Sequence, residues 1–352
     1  MVARRLEWSS LDRRAPRGRL LEVVRETCGV HAQLASGAEL AISARVEDVT
    51  SDDVLDALWR TRELVKASTV RGTLHLHPAD DLPLWKSLGA FGARWRERFW
   101  LDWQGLTLAE AQQLREAVLG VLADGEPRTR VEIGAAVGGR LGEHLAGDSW
   151  GHYLAPAADR LCHGPPSGRR VTFVRCDSWV PGWREVDPRE AVVEACRRHL
   201  AAYGPVQREE LEHWLSHRVP DDVFAELEPG LEEVDVEGRR SFVLAGTTFP
   251  DAAPSGVRLL GHYDVYVIGC TPRERLIPVQ RERIFDHGAG PNPVLLVDGA
   301  VAGTWKRERR GRRMDIRVEP FTKLSAARRC ELATEAARVA HTYSAEPALE
   351  VI

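Results

Sequence analysis

The chain has 352 residues, which is enough for two or three domains. Hydrophobic residues make up 43% and charged residues 28% of it, as in a globular protein that buries a substantial core. The net charge of -4 argues against a uniformly basic nucleic-acid binder, so such a role must depend on local patches. No apolar run approaches a membrane span and no signal peptide is visible, so we expect a cytoplasmic protein without a membrane partner.

The first 79 residues predict a helical unit followed by a two-stranded wing. A helix is expected within residues 11–34, an apolar helix over 38–46, and a third helix after the capping sequence Thr50–Asp53. Residues 64–78 then contain two β-like runs on either side of polar residues. Three short helices before such a hairpin are typical of a winged helix, a variant of the helix-turn-helix.

The end of the first helix carries a polar pair. Gly29 is a natural terminator because glycine tolerates a left-handed backbone, and His31 and Gln33 follow it with Ala32 between them. In an extended segment, side chains two residues apart point the same way, so this pair would converge on one small target such as a water molecule. Spacing alone favours the plainer interpretation, a helix-end histidine and a surface glutamine.

The same pattern is expected twice more. Residues 80–186 predict an aromatic-rich helical connector over 80–99 and a second winged helix, and residues 187–250 predict a third. The second unit has predicted helices over 107–122, 129–137 and 150–162 and a wing over 161–174, and the third has predicted helices over 191–203, 205–214 and 223–227 and a hairpin over 231–245.

Residues 251–352 are rich in strand patterns. Strands are expected over 257–261, 265–269, 293–297, 300–307 and 314–320, and a closing helix over 324–343. Asp298-Gly299 is a strong hairpin signal. The predicted fold is therefore α+β, with tandem winged-helix units before a small antiparallel C-terminal β-barrel.

Cofactor signatures are weak in this sequence. The six cysteines include no C-x-x-C pair, so we expect reduced thiols and no zinc site. His75 and His77 alternate along the first wing, and we interpret them as surface residues rather than metal ligands. The glycine-rich segment 286–292 leads into a strand, so it is interpreted as a plain loop. The sequence therefore predicts neither a metal nor another cofactor.

The basic features are stronger. Gly311 fits the tip of a hairpin between two predicted strands, which would point Arg309, Arg310, Arg312 and Arg313 outwards to contact phosphates or a groove. Lys306 and Arg307, earlier in the same basic run, are further candidates for DNA binding. A charged turn that protects a sheet edge is the alternative, and the net positive charge slightly favours DNA binding. Arg169 and Arg170 in the second wing and Arg71 in the first are weaker candidates for the same role.

Four segments resemble the AlkZ/YcaQ family of bacterial winged-helix DNA glycosylases. They are Gly29–Gln33, Leu64–Pro78, Gly261–Gly269, and Asn292–Gly299 with its continuation to Trp305. Their order and spacing span nearly the whole chain. The resemblance implies tandem winged helices and a C-terminal barrel around a DNA channel.

The resemblance also implies a catalytic motif of two polar residues around a middle one. Much of the family has Gln-x-Gln or Gln-x-Asp, whereas this chain has His31-Ala32-Gln33, so Gln33 matches the second position and His31 replaces the first. The implied reaction hydrolyses the glycosidic bond of N7- or N3-alkylpurines, with tolerance of bulky guanine adducts or crosslinks from genotoxic natural products, as in self-resistance. The lysines lie elsewhere in sequence, so we expect a monofunctional enzyme that leaves an abasic site.

Two other classes remain open from the sequence. A winged-helix transcription regulator would bind an operator and would give His31-Ala32-Gln33 no role. A non-catalytic protein could instead sequester the lesion. The expected partner in our favoured interpretation is double-stranded DNA with an alkylated purine, bound by a monomer.

Overall fold

Helices and short β-sheets alternate along the chain, so the protein is an α+β fold as predicted. The computed structural model describes residues 2–90, 93–149, 151–269, 276–277, 280–285 and 291–352. Cys270 and residues 286–290 of the glycine-rich segment lie outside these ranges. No helix within the described ranges is long and apolar enough to cross a membrane.

The first part of the chain places helices around a small sheet of order β1-β3-β2. Its elements are α1 (Val2–Trp8), α2 (Leu20–Glu26), β1 (Val30–His31), α3 (Ala35–Arg45), α4 (Ser51–Trp59), β2 (Leu64–Ser68) and β3 (Leu74–Pro78). The helix expected within 11–34 is confined to α2, because Cys28 and Gly29 adopt positive φ angles of 59° and 89°. Thr50 and Asp53 form the capping box that begins α4.

The second part has the predicted hairpin and most of the predicted helices, with two differences. Its elements are α5 (Leu82–Ser87), α6 (Arg98–Gln104), α7 (Leu108–Val121), β4 (Arg128–Thr129), α8 (Arg130–Val137), α9 (Gly139–Gly147), β5 (Leu161–Ser167), β6 (Arg170–Arg175) and α10 (Cys176–Trp179). The helix predicted over 150–162 is a 3₁₀ segment, His152–Arg160, and α9 was not predicted. The helix α9 was missed because glycine has a low helix propensity. The glycines are needed for packing, since a Cβ at Gly142 would lie 2.3 Å from the Gly134 carbonyl oxygen, where α8 and α9 approach closely.

The third part shares a core with the first. Its elements are α11 (Pro188–Tyr203), α12 (Arg208–Leu215), α13 (Asp221–Leu227), β7 (Leu231–Val236) and β8 (Arg239–Leu244). Buried residues of α11 pack in one cluster with Cys28, Val70 and Trp85. The Tyr203 hydroxyl donates to the Thr27 carbonyl at 2.9 Å, which ties the end of α11 to the end of α2.

The last part is built on a five-stranded sheet of order β13-β12-β11-β10-β9 that curls into a half-barrel. Its elements are β9 (Val257–Leu260), α14 (Val265–Ile268), α15 (Arg281–Ile284), β10 (Val294–Val297), β11 (Ala300–Arg310), β12 (Arg313–Pro320), α16 (Ala326–Thr342) and β13 (Glu346–Val351). The sheet is mixed, because the unpredicted strand β13 runs parallel to β12.

The strand predicted over 265–269 is wrong. A short apolar run fits a buried helix as well as a buried strand, and local capping decides between them here. The Asp264 carboxylate accepts a hydrogen bond from the Tyr266 amide at 2.9 Å and so begins α14.

Candidate active site

His31 lies on a short strand that pairs with the first hairpin. β1 is antiparallel to β3, with His31 opposite His75, and the Ala32 amide donates to the Leu74 carbonyl at 2.7 Å. The His31 side chain is 6% exposed. Its ring stacks on Tyr263 at 4.7 Å between centroids and meets the edge of His75 at 5.2 Å. Two distant segments that carried the family resemblance therefore meet at this histidine.

A buried ion pair fixes the turn that carries Tyr263. The Arg45 guanidinium donates to both carboxylate oxygens of Asp264 at 2.9 and 2.6 Å, and neither side chain is exposed. Such a fork-to-fork contact fixes orientation as well as distance. Gly37 lets the same turn approach α3, since a Cβ there would lie 2.7 Å from the His262 carbonyl oxygen. This packing holds the Tyr263 ring over His31.

The environment of His31 keeps its imidazole neutral. Burial, followed by the nearby cations Arg71 and Lys66, lowers the pKa of His31 to about 4. Its Nδ1 atom is buried and has no hydrogen-bond partner among the described residues. A neutral imidazole can accept one hydrogen bond and donate another, whereas the protonated ring can only donate.

The prediction that His75 and His77 are surface wing residues is wrong, since they are 3% and 0% exposed. The cause is the third strand β1, which pairs with β3, and Trp85 of α5, whose ring stacks on His77 at 5.0 Å. The Thr69 hydroxyl lies 3.2 Å from His75 Nδ1 and 3.0 Å from His77 Nε2, so it bridges the two rings. Burial lowers the pKa of both histidines, that of His77 to about 3.

Gly29 is required at the end of α2 for two reasons. Its φ of 89° disfavours any residue with a side chain, and a Cβ there would lie 2.3 Å from the His77 ring. We expect Gly29→Ala to lower the free energy of unfolding by about 1–3 kcal/mol, measured by urea denaturation. Gly18→Ala is the matched control, since no atom of the described residues lies within 4 Å of a Cβ there. Equal stabilities of the two variants would show that the His77 ring moves aside at no cost.

Gln33 lies beyond β1 and is exposed. It lines a cavity of about 1150 Å³, which we call the Gln33 cavity, whose walls include Arg71, Lys86, Trp103 and Arg170. His31 is not among the lining residues, because its ring is covered by Tyr263 and His75. The structure therefore keeps the predicted pair adjacent but gives its members different surroundings, one buried and one open to a large cavity.

The predicted DNA-binding residues fall into two groups. Arg71 and Arg170 line the Gln33 cavity, while Arg169 is exposed at the turn between β5 and β6 outside that lining. The remaining candidates, Lys306, Arg307, Arg309, Arg310, Arg312 and Arg313, lie on the hairpin of β11 and β12.

The β11–β12 hairpin has the predicted turn, with Gly311 at a φ of 62°. Arg309, Arg310, Arg312 and Arg313 are exposed there, and Arg307 lies over the Tyr343 ring at 4.0 Å. Acidic neighbours partly neutralise the tip: Arg310 pairs with Glu308 at 2.9 Å, and Arg313 with Asp315 at 2.5 Å. At exposed positions such pairs are weak and can exchange for phosphate contacts.

Sequence reasoning missed two parts of the site. Tyr263 approaches His31 only through tertiary packing, which no local pattern reveals. Lys86 lines the cavity from α5, and its ammonium donates to three backbone carbonyls, those of Ser68, Ala158 and Leu161, at 2.9, 2.7 and 2.5 Å. The concentration of tryptophans near residue 100 was the one signal in the sequence that could have indicated this side of the Gln33 cavity.

Comparison with known proteins agrees with this architecture. The family model described as "DNA glycosylase AlkZ-like" matches residues 24–342. An interstrand DNA cross-link repair glycosylase of Streptomyces sahachiroi is 32% identical over 304 residues, or 81% of each chain. The structure of the Streptomyces sahachiroi DNA glycosylase AlkZ superposes with a TM-score of 0.86 at 31% identity, covering 100% of this chain and 98% of that one. The chain therefore belongs to the AlkZ-like family and is a DNA N-glycosylase.

Proposed function

We propose that this glycosylase hydrolyses the N-glycosidic bond of N7- or N3-alkylated purines in double-stranded DNA, with a preference for bulky guanine adducts or crosslinks. The observation that carries the proposal is the position of Gln33, exposed on a cavity of about 1150 Å³ and next to His31. The name of the Streptomyces relative, an interstrand cross-link repair glycosylase, supports a substrate of this size.

The chemistry requires little more than positioning. An alkylated purine is cationic. When the bond between C1′ and the purine nitrogen breaks, both bonding electrons go to the purine, which leaves as a neutral base. The sugar develops oxocarbenium character, and water adds to C1′ and releases a proton. The Gln33 amide can accept from that water through Oε1 and donate through Nε2 to the sugar or lesion, which fixes the attack geometry.

His31 acts behind Gln33 in this proposal. Tyr263 and His75 cover most of the His31 ring, and its small exposed part, 6% of the residue, is where the neutral imidazole accepts a hydrogen bond from the water or the lesion. The stack on Tyr263 fixes the plane of the ring. A pKa of about 4 makes His31 a poor proton acceptor near neutral pH, which favours a positioning role over general-base catalysis.

The site supports a monofunctional reaction. An enzyme that cleaves the strand by Schiff-base chemistry needs an unprotonated amine that can reach C1′. Among the described residues, Lys86 is the lysine that lines the Gln33 cavity. Its nitrogen donates hydrogen bonds to three backbone carbonyl oxygens, which uses all of its donors. Its nitrogen is therefore held by backbone hydrogen bonds, and the expected product is an intact strand with an abasic site.

The same proposal assigns the DNA contacts. The units 1–79, 80–186 and 187–250 each contain helices followed by a hairpin, and we assign them as tandem winged helices before the half-barrel of 251–352. The exposed arginines of the β11–β12 hairpin contact the DNA backbone or enter a groove, while Arg71 and Arg170 contact phosphates near the lesion. We further propose that the enzyme acts as a cytoplasmic monomer on the nucleoid.

The test is an excision assay with purified protein. Duplex DNA with one N7-alkylguanine should release the free modified base, and the strand should break only after alkali treatment. Strand cleavage without alkali would overturn the monofunctional assignment. Failure to release either a methyl or a bulky N7 lesion, while a known alkylpurine glycosylase releases the methyl lesion under the same conditions, would overturn the proposed substrate class.

A further inference from the structure

Two large aromatic side chains stand exposed on one helix of the Gln33 cavity. Phe99 and Trp103 lie one turn apart on α6 and are 78% and 60% exposed, and both line the cavity. Trp95, which is buried, continues the same lining. We call Trp95, Phe99 and Trp103 the aromatic wall. Exposed aromatic groups that cluster at a cavity mark a binding surface, because their hydration carries a cost that a ligand removes.

The lining of the cavity carries more cations than anions, which favours the DNA phosphates beside the lesion and an electron-rich ring system. Arg94, Arg96, Arg130 and Arg170 line it and form no ion pair among the described residues. The Arg96 guanidinium lies 4.9 Å from the Trp95 ring centroid, so cation and ring present one continuous surface. Arg130 Nε is buried and has no partner within the described part of the chain. Among the residues that the structure describes, the lining carboxylates are Glu97 and Asp159, and Asp159 is paired with Arg115.

The size of the cavity favours a purine with a large planar substituent over a single extruded nucleobase. Pockets for drug-sized ligands occupy about 300–1000 Å³. The Gln33 cavity, at about 1150 Å³, exceeds this range, so a single extruded nucleobase would leave most of it empty. A purine that carries a polycyclic substituent would extend from Gln33 toward the aromatic wall.

We propose that the aromatic wall is a subsite that stacks on the planar polycyclic part of a DNA adduct while Gln33 faces the glycosidic bond. The inference rests on the proposed function and names the class of substituent that the site selects. Trp103 already contacts His152 edge to face at 4.8 Å, which orients its indole and leaves its other surfaces open. Phe99, one helical turn earlier, provides the second stacking surface.

A binding measurement with DNA that the enzyme cannot hydrolyse tests the subsite independently of catalysis. Two duplexes would carry one 2′-fluorinated guanosine each, which resists hydrolysis, with either a pyrenylmethyl or a methyl group at N7. The readout is the ratio of their dissociation constants, measured by fluorescence anisotropy. The wild-type protein should bind the pyrenylmethyl duplex more tightly, and Trp103→Ala and Phe99→Ala should each reduce this preference about tenfold.

The controls keep the outcome interpretable. Both side chains are largely exposed, so their truncation removes little packing, and Trp103→Phe should restore part of the preference because a ring remains. Phe249→Ala is the matched control, an aromatic residue 41% exposed outside the cavity lining, and it should retain the wild-type ratio.

Two results would overturn the subsite. An equal loss of affinity for both duplexes would show that the wall binds a nucleobase of the DNA itself. An unchanged ratio in both wall variants would show that the adduct lies elsewhere. A failure of the proposed function would appear in the excision assay instead, where neither lesion would be released although the binding preference persisted.

Discussion

Gln33→Ala is expected to lower excision of an N7-alkylguanine by about 100- to 1000-fold, the usual cost of losing one group that positions a developing charge. The loss should appear in the single-turnover rate constant, because the amide acts on water and sugar in the transition state. Affinity for the lesion-bearing duplex should change little, since Gln33 is one exposed side chain beside several cavity arginines.

Gln112→Ala is the matched control for this experiment. Gln112 is an exposed glutamine on α7 and is not part of the cavity lining, so its truncation should leave the rate at the wild-type value. A Gln33→Ala enzyme with wild-type excision would remove Gln33 from the mechanism. A parallel loss of excision, DNA binding and thermal stability would instead assign Gln33 a structural role.

Local signals in the sequence predicted most of the secondary structure. The Thr107–Glu110 capping box begins α7, Asp187 caps α11 ahead of Pro188, and Gly311 lies in the turn of the longest hairpin. In each case one or two side chains satisfy backbone groups within the same turn, so the information is local. Gly29 belongs to this class, since its positive φ ends α2 where the sequence indicated.

The errors have tertiary causes. His75 and His77 alternate like residues of a half-exposed wing, but β1 and Trp85 cover the face that carries them. β13 was not predicted, and it is stabilised by parallel pairing with β12 after α16 returns the chain to the sheet edge. Strand propensity does not reveal the pairing of β1 with β3 or of β13 with β12, because the paired segments are distant in sequence.

The sequence named His31 and Gln33 as candidates but did not predict how they are arranged. The resemblance singled out His31 and Gln33, and the extended backbone after Gly29 is confirmed. His31 is buried under Tyr263, whose turn is held by the Arg45–Asp264 ion pair between residues 219 positions apart. Gln33, two residues later, opens on the cavity. The catalytic roles remain predictions for the variants to test.

His31 is expected to tolerate glutamine better than alanine. Glutamine can still accept and donate one hydrogen bond, so His31→Gln should keep excision of N7-methylguanine within about tenfold of wild type. His31→Ala removes the hydrogen-bond acceptor for the water or lesion and the ring that stacks on Tyr263. The excision rate of this variant should therefore fall by about 100-fold. His341→Gln on the exposed face of α16 is the control.

The pH dependence separates a neutral, positioning His31 from a general base with an ordinary histidine pKa. With a pKa lowered to about 4 by burial and by Arg71 and Lys66, the ring is neutral above that pH and gains its proton only below it. The single-turnover rate should therefore be flat between about pH 5 and pH 8 and should fall only as the pH approaches 4. A general base with an ordinary histidine pKa would instead lose activity below about pH 6.5, and His31→Gln would abolish that limb. A limb near pH 6.5 that disappears in His31→Gln would replace the positioning role with proton transfer.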